Sequence, residues 1–145
     1  MLDYTDYDTR LAGYALVRDA QGRVLLSRWV GGHTPAWTCP GGGIEFGETI
    51  PQGIARELQE ETGYQVEVGR LLGVRTFEVS AADRLHPSHR PLRVVQVFHA
   101  GTVTGGELAF ETDGSSDMAG WFSVAEIADL PHVGSVDHLL TLMGQ

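Results

Sequence analysis

A mixed β-sheet with helices layered against it, an α/β or α+β arrangement, is the fold class this sequence predicts. Three observations carry it. Several apolar runs of strand length are punctuated by Gly and Pro; one segment has a helical repeat with a strong signal at each end; and 145 residues suffice to close one hydrophobic core. We expect a single domain over residues 1–145, with the polar residues 1–10 lying loosely over it.

The elements follow in order. Residues 11–18 and 23–28 read as strands joined through the turn 19–22 into a hairpin. Residues 29–36, with Gly31, Gly32 and Pro35, read as a loop, and a short extended piece, 37–39, runs into Pro40 and a glycine-rich loop, Gly41, Gly42 and Gly43. Thr49 and Gln52 form a capping box, with Pro51 tolerated in the first turn, and Gly63 stands where a helix would stop. Between them Ile50, Ile54 and Leu58 recur every four residues beside Ala55, which predicts one buried stripe. Residues 66–79 are strand-like but broken by Gly69 and Gly73; 80–91 is a polar loop and 92–102 a long strand. Gly105 and Gly106 predict a turn into another strand at 107–110. An acidic loop over 111–120 precedes a short strand around Trp121 and Phe122. Ser123 and Glu126 form a second capping box, and a terminal helix is expected over 136–143.

Ten basic against nineteen acidic residues give a net charge of −9, and such a surface repels phosphate backbones. General binding of nucleic acid is therefore disfavoured, whereas small phosphorylated ligands that bring their own cations are not. All ten basic residues are Arg, and the chain has neither Lys nor Asn, so an anion site must use Arg, His or backbone N–H groups. Cys39 is alone, which fits a reducing compartment. The acidic first ten residues are unlike a signal peptide and no apolar run approaches the roughly 18 residues of a membrane span. A cytoplasmic protein without a membrane partner is expected.

The helix after Thr49 carries the chemistry. Glu57, Glu60 and Glu61 fall at i, i+3 and i+4 and project from one side, at the margin of the buried stripe. Two such charges about 6 Å apart repel by roughly 3 kcal/mol at an effective dielectric near 20. Glu60 and Glu61 also oppose the helix dipole in the last turn. A solvated acidic face is the commoner use of such clusters, but here only Arg56 compensates locally. Three carboxylates aimed at one point are a hard-oxygen set suited to Mg²⁺. The three glycines allow close backbone approach and a carbonyl ligand, and Glu48 can meet Arg56 and fix the loop to the helix. Glu45, Glu48, Glu57, Glu60 and Glu61, less Arg56, put a net −4 between residues 45 and 61, so much of the acidity is local to this region.

Gly42, five residues, Glu48, seven residues, then Arg56-Glu57-Leu58-Gln59-Glu60-Glu61-Thr62-Gly63-Tyr64 resembles the complete box of the Nudix hydrolase family. The lead-in from Trp37 to Gly42 is similar too, with Cys39 where a larger apolar residue is common and Gly53 where Ala is more usual. Gly53 should weaken the helix by about 1 kcal/mol relative to Ala. The resemblance implies an α/β/α sandwich with a mixed central sheet. It also implies hydrolysis of a nucleoside diphosphate linked to a further group X, a modified nucleotide or nucleotide sugar. It implies Mg²⁺, or Mn²⁺, on Glu57, Glu60 and Glu61 with a carbonyl ligand at Gly41, and a structural Arg56 paired with glutamates of the box. Family members are often dimers, so a homodimer is a candidate state.

In such chemistry a metal ion neutralises the diphosphate and a carboxylate takes a proton from the attacking water. Glu57 or Glu60 is one candidate; Glu111, Asp113 and Asp117 beyond the box are the others. For the substrate, residues 84–93 concentrate Arg84, Arg90, Arg93, His86 and His89 in an otherwise acidic chain, and Arg there is expected to meet phosphate. A mobile polar loop is the plainer account of the same segment. Trp29 and Trp37 flank the approach to the box, and either could stack on a base. The absence of Asn disfavours the branch that reads oxidised guanine. Pro87, the first Pro after Tyr64, is too distant for the ADP-ribose pattern, and the additional motifs of the NADH and coenzyme A branches are missing. A non-catalytic nucleotide-sensing module on the same fold is the alternative; an intact Glu triad argues against it. An acidic scaffold without a ligand leaves the three glycines and the Glu48–Arg56 spacing unexplained.

Overall fold

The computed structural model describes residues 1–110 and 114–144. Among these residues it has two sheets and three α-helices. The first sheet has the order β4-β1-β6-β5, from strands β1 (Asp8–Val17), β4 (Gly41–Gly43), β5 (Tyr64–Val79) and β6 (Leu92–Gly106). β1 and β6 run parallel and the other pairs antiparallel, so the sheet is mixed as predicted. The second sheet has the order β3-β2-β7, from β2 (Val24–Trp29), β3 (Ala36–Thr38) and β7 (Ser116–Phe122), all antiparallel. The helices are α1 (Ile50–Thr62), α2 (Val124–Ala128) and α3 (Gly134–Thr141). No described helix is long and apolar enough to cross a membrane.

The pleat of β1 divides the core. Ala15 and Val17 point towards α1 and pack with Leu25, Ile54 and Leu58, while Ala12, Tyr14 and Leu16 face the other way, into a cluster with Trp37, Phe98, Ile127 and Leu139. A Cβ on Gly13 would come within 2.7 Å of Ile54, so glycine there lets α1 press against the sheet. α1 begins and ends as the sequence predicts. Thr49 and Gln52 complete the capping box, and Gly63 closes the helix at φ +80° with its N–H on the Gln59 carbonyl. The box at Ser123 and Glu126 also forms, opening α2.

Several boundaries differ from expectation. β1 starts at Asp8, so residues 8–10 are strand rather than loose tail. The expected hairpin is reduced to one bridge, Arg18 to Val24, because β1 and β2 separate into different sheets. Gly41–Gly43 is the edge strand β4 and not a loop; its partners Tyr14, Gly13 and Ala12 impose the extended form. β6 runs through Gly105 and Gly106, which pair with Gln65 and Tyr64. Residues 107–110 form no strand, because the Ala109 N–H instead satisfies the Thr62 carbonyl at the end of α1. β7 begins at Ser116, inside the expected acidic loop, and α3 begins at Gly134. Gly69 and Gly73 coincide with register shifts in β5, where the strand bends without ending.

Candidate active site

Glycine at three successive positions sets the geometry of the site. Gly41 adopts φ +144°, and a Cβ there would stand 2.1 Å from the Gly13 carbonyl oxygen, so no other residue fits. At Gly42 a Cβ would come within 2.9 Å of the Glu57 carboxyl carbon; its absence lets that carboxylate lie against the edge strand. Glu61 reaches the same strand from the last turn of α1. It is buried, and its Oε2 accepts hydrogen bonds from the Gly41 N–H at 3.0 Å and the Ser27 hydroxyl at 3.3 Å.

Arg56 organises the other acids. It donates to Glu48 through Nε at 3.1 Å and Nη2 at 2.7 Å, and Nη2 also reaches the Gly43 carbonyl at 3.0 Å. Its Nη1 meets Glu57 at 3.1 Å, Glu60 at 3.4 Å and Glu45 at 3.8 Å. The guanidinium pKa is raised, chiefly by Glu48 and then by Glu57, against the cost of burial. Glu48 is held below the usual carboxylate range, above all by Arg56 and then by the Glu45 N–H. The loop before α1 is thus fastened to the helix as the spacing of Glu48 and Arg56 predicts.

Among the described residues no three His, Cys, Asp or Glu side chains close around a common point tightly enough to cage an ion. The donor chemistry nevertheless fits a hard divalent cation. Carboxylate oxygens of Glu45, Glu57 and Glu60 already gather on one positive nitrogen of Arg56, and Glu57, Glu61 and Gly41 line one cavity. That cavity, of about 990 Å³, opens between the edge of the first sheet and the second sheet, at the upper end of the usual range for small-molecule sites. Trp29, one of the expected stacking residues, lines it; Trp37 is instead in the core against Phe122.

The arginine-rich segment makes contacts with β1 and the residues before it, and only part of it reaches the cavity. Arg84 and Arg90 both bind Asp8 of β1, at 2.8 and 2.9 Å, and Arg90 also donates to the carbonyls of Thr5 and Tyr7. Arg93 lies over the Tyr7 ring, and neither Arg90, Arg93 nor His89 is among the described residues lining the cavity; Arg84 and His86 are. The cause is the pairing of β1 with β6, which sets Asp8 beside these arginines and draws the loop onto the strand. Asp117, a candidate base, is committed to Arg28 through two hydrogen bonds of 2.8 and 2.6 Å. Glu111 and Asp113 lie outside the described residues. Cys39 is buried and donates to the Ser135 carbonyl, and burial pushes its thiol up to about 12, which removes it as a nucleophile.

Sequence reasoning missed Arg10, Tyr14, Ser27 and Gln96. Gln96 was readable in principle, as a polar residue at the buried parity of β6 between Val94 and Phe98. It is buried and accepts from Arg75 at 3.1 Å, and it lines the cavity with Tyr14.

The NUDIX domain family profile matches residues 8–142, nearly the whole chain. The chain belongs to this family. The uncharacterised Nudix hydrolase YvcI of Bacillus subtilis is 30% identical over 107 residues, covering 74% of this chain and 63% of the relative. The NAD-capped RNA hydrolase NudC of Vibrio atlanticus is 32% identical over 114 residues, covering 79% of this chain and 38% of the relative. The chain therefore spans less than two thirds of the length of these curated relatives. Among solved structures, a NUDIX hydrolase from Nitrosomonas europaea superposes with a TM-score of 0.78 at 20% identity, over 94% of this chain and 89% of that one. That likeness shows the Nudix fold. The family acts on nucleoside diphosphate derivatives, and in this member the Nudix box runs from Gly42 in β4 through the connecting loop and α1 to Tyr64 at the start of β5.

Proposed function

We propose that this Nudix protein hydrolyses the diphosphate linkage of a nucleoside diphosphate derivative, a modified nucleotide or nucleotide sugar, in a Mg²⁺-dependent reaction. The observation that supports this best is the shared cavity: Glu57, Glu61 and the glycine edge Gly41–Gly43 meet in a space large enough for a nucleotide. Glu57, Glu60 and Glu61, with the Gly41 carbonyl, would hold the cation. A bound divalent ion there would offset diphosphate charge and acidify a coordinated water.

The chain's own groups supply the rest. Arg56 holds Glu57 and Glu60 on the side of α1 that meets β4, and its bond to the Gly43 carbonyl keeps the strand in register with the helix. Glu61, fixed by Gly41 and Ser27, cannot swing away. Of the acids considered as base, Glu57 lines the cavity, and this reading assigns it the proton of the attacking water. Trp29 offers an indole for stacking on a base. A cytoplasmic setting goes with the lone, buried Cys39.

The test is a panel of nucleotides and nucleotide sugars incubated with Mg²⁺ and then with EDTA. Hydrolysis that needs the metal, and that Glu60→Gln abolishes without changing the melting temperature, is the expected result. Near-normal turnover by Glu60→Gln would remove the carboxylate assignment, and nucleotide binding without any turnover would favour a sensing module instead.

A further inference from the structure

Two arginines line the cavity among the described residues, Arg10 and Arg84. Arg84 is committed to Asp8 and to the Arg90 carbonyl. Arg10 has no ion pair among the described residues and lies beside the buried phenol of Tyr14. With no Lys in the chain, Arg10 is the cavity's one cation not already matched to an anion among the described residues.

Its position relative to the glutamates is the decisive geometry. Successive residues of a strand face opposite sides of a sheet. The side-chain direction of Gly42 leads to Glu57, and that of Gly43 leads to Arg10, whose Nη2 is 3.4 Å from where a Cβ on Gly43 would be. The acidic side and the cationic side of the cavity are therefore divided only by the backbone of β4, an edge strand without side chains. An extended anion crossing that edge would have carboxylates on one side and a guanidinium on the other.

We infer that Arg10 is the residue that receives the phosphate charge of the ligand, in place of the arginines at 84–93. The ligand class, a diphosphate-containing nucleotide, rests on the function proposed above. A planar guanidinium suits two oxygens of one phosphate, and in a partly enclosed site it outcompetes solvent for them.

The experiment titrates inorganic pyrophosphate with Mg²⁺ into the wild type, Arg10→Gln, Arg10→Lys and Arg70→Gln. Arg70→Gln is the control for charge alone, since Arg70 is exposed on β5 and outside the cavity. Arg10→Gln should weaken binding about tenfold or more, Arg10→Lys less, and Arg70→Gln by under about twofold. With the best hydrolysed nucleotide, Arg10→Gln should raise KM about tenfold while kcat stays within about threefold. Equal pyrophosphate affinity in Arg10→Gln and Arg70→Gln, or no binding to the wild type, overturns the inference even if hydrolysis is observed. Arg10-dependent pyrophosphate binding without nucleotide hydrolysis would uphold it while removing the proposed activity.

Discussion

Glu61 accepts a hydrogen bond from the backbone N–H of Gly41 across 3.0 Å, joining the last turn of α1 to the edge strand β4. This one bond gives a buried carboxylate a structural duty as well as a place in the proposed cation site. The two duties separate by substitution. Glu61→Ala leaves the Gly41 N–H and the buried Ser27 hydroxyl without their acceptor and should cost about 1–3 kcal/mol in urea unfolding. Glu61→Gln retains an acceptor oxygen, so it should lose under about 1 kcal/mol, yet hydrolysis should fall as far as in Glu61→Ala. Normal turnover by Glu61→Gln would show that the carboxylate serves the fold alone.

How far these features were legible depends on whether their cause was local. The α1 caps at Thr49 and Gly63 are side-chain and φ effects within a few residues, and both were readable. So was the bond between Glu48 and Arg56, which spans one loop and two helical turns. β4 was not readable, because glycine has no strand propensity and the extended form comes from pairing with Tyr14 and Ala12, nearly thirty residues earlier. The fate of Arg84 and Arg90 was hidden for the same reason. Composition shows that cations cluster there, but only the parallel pairing of β1 with β6 brings Asp8 beside them. Arg10 was hidden in the same way, since its place on β1 comes from pairing with Val94 of β6.

Glu48 predicts a pH dependence. Its folded pKa is depressed, first by Arg56 and then by the Glu45 N–H, so the unfolded chain binds the proton more readily. The stability it contributes is complete above the unfolded carboxylate pKa, near 4.3, and is lost as pH falls through the lower folded value. Urea midpoints measured from about pH 6 down to pH 2 should fall less steeply for Glu48→Gln than for the wild type. Identical acid limbs would mean that the pair with Arg56 does not couple to folding.

Gly53→Ala is a case where propensity and packing disagree. Helix propensity alone offers about 1 kcal/mol in favour of Ala. The added Cβ, however, would come within 2.6 Å of Ile44 Cδ1 and 2.8 Å of Glu48 Oε1. That Glu48 oxygen is held by Arg56 and the Glu45 N–H, so it cannot yield without loosening both. The expected outcome is a melting temperature equal to or below that of the wild type, with reduced turnover because Arg56 also positions Glu57. A rise of several degrees would show that the loop before α1 gives way freely.

Asp8 is the last point where structure and activity can be pulled apart. Its carboxylate binds Arg84 through Oδ2 and Arg90 through Oδ1, and Arg84 then bonds the Arg90 carbonyl, which closes the segment from 84 to 90 onto β1. The arginines are part-buried but the Asp8 carboxylate is 42% exposed and screened by water, so global stability should respond little to Asp8→Ala. Local order should respond, because the segment has few apolar anchors and Leu85 is itself exposed. Trypsin should therefore cut after Arg84 several-fold faster in Asp8→Ala, at an unchanged melting temperature. Because Arg84 and His86 line the cavity, the same variant should raise KM more than it lowers kcat. If cleavage and KM both stay at wild-type values, the clamp on Asp8 does not hold the loop, and the wall of the cavity must be kept in place by its backbone alone.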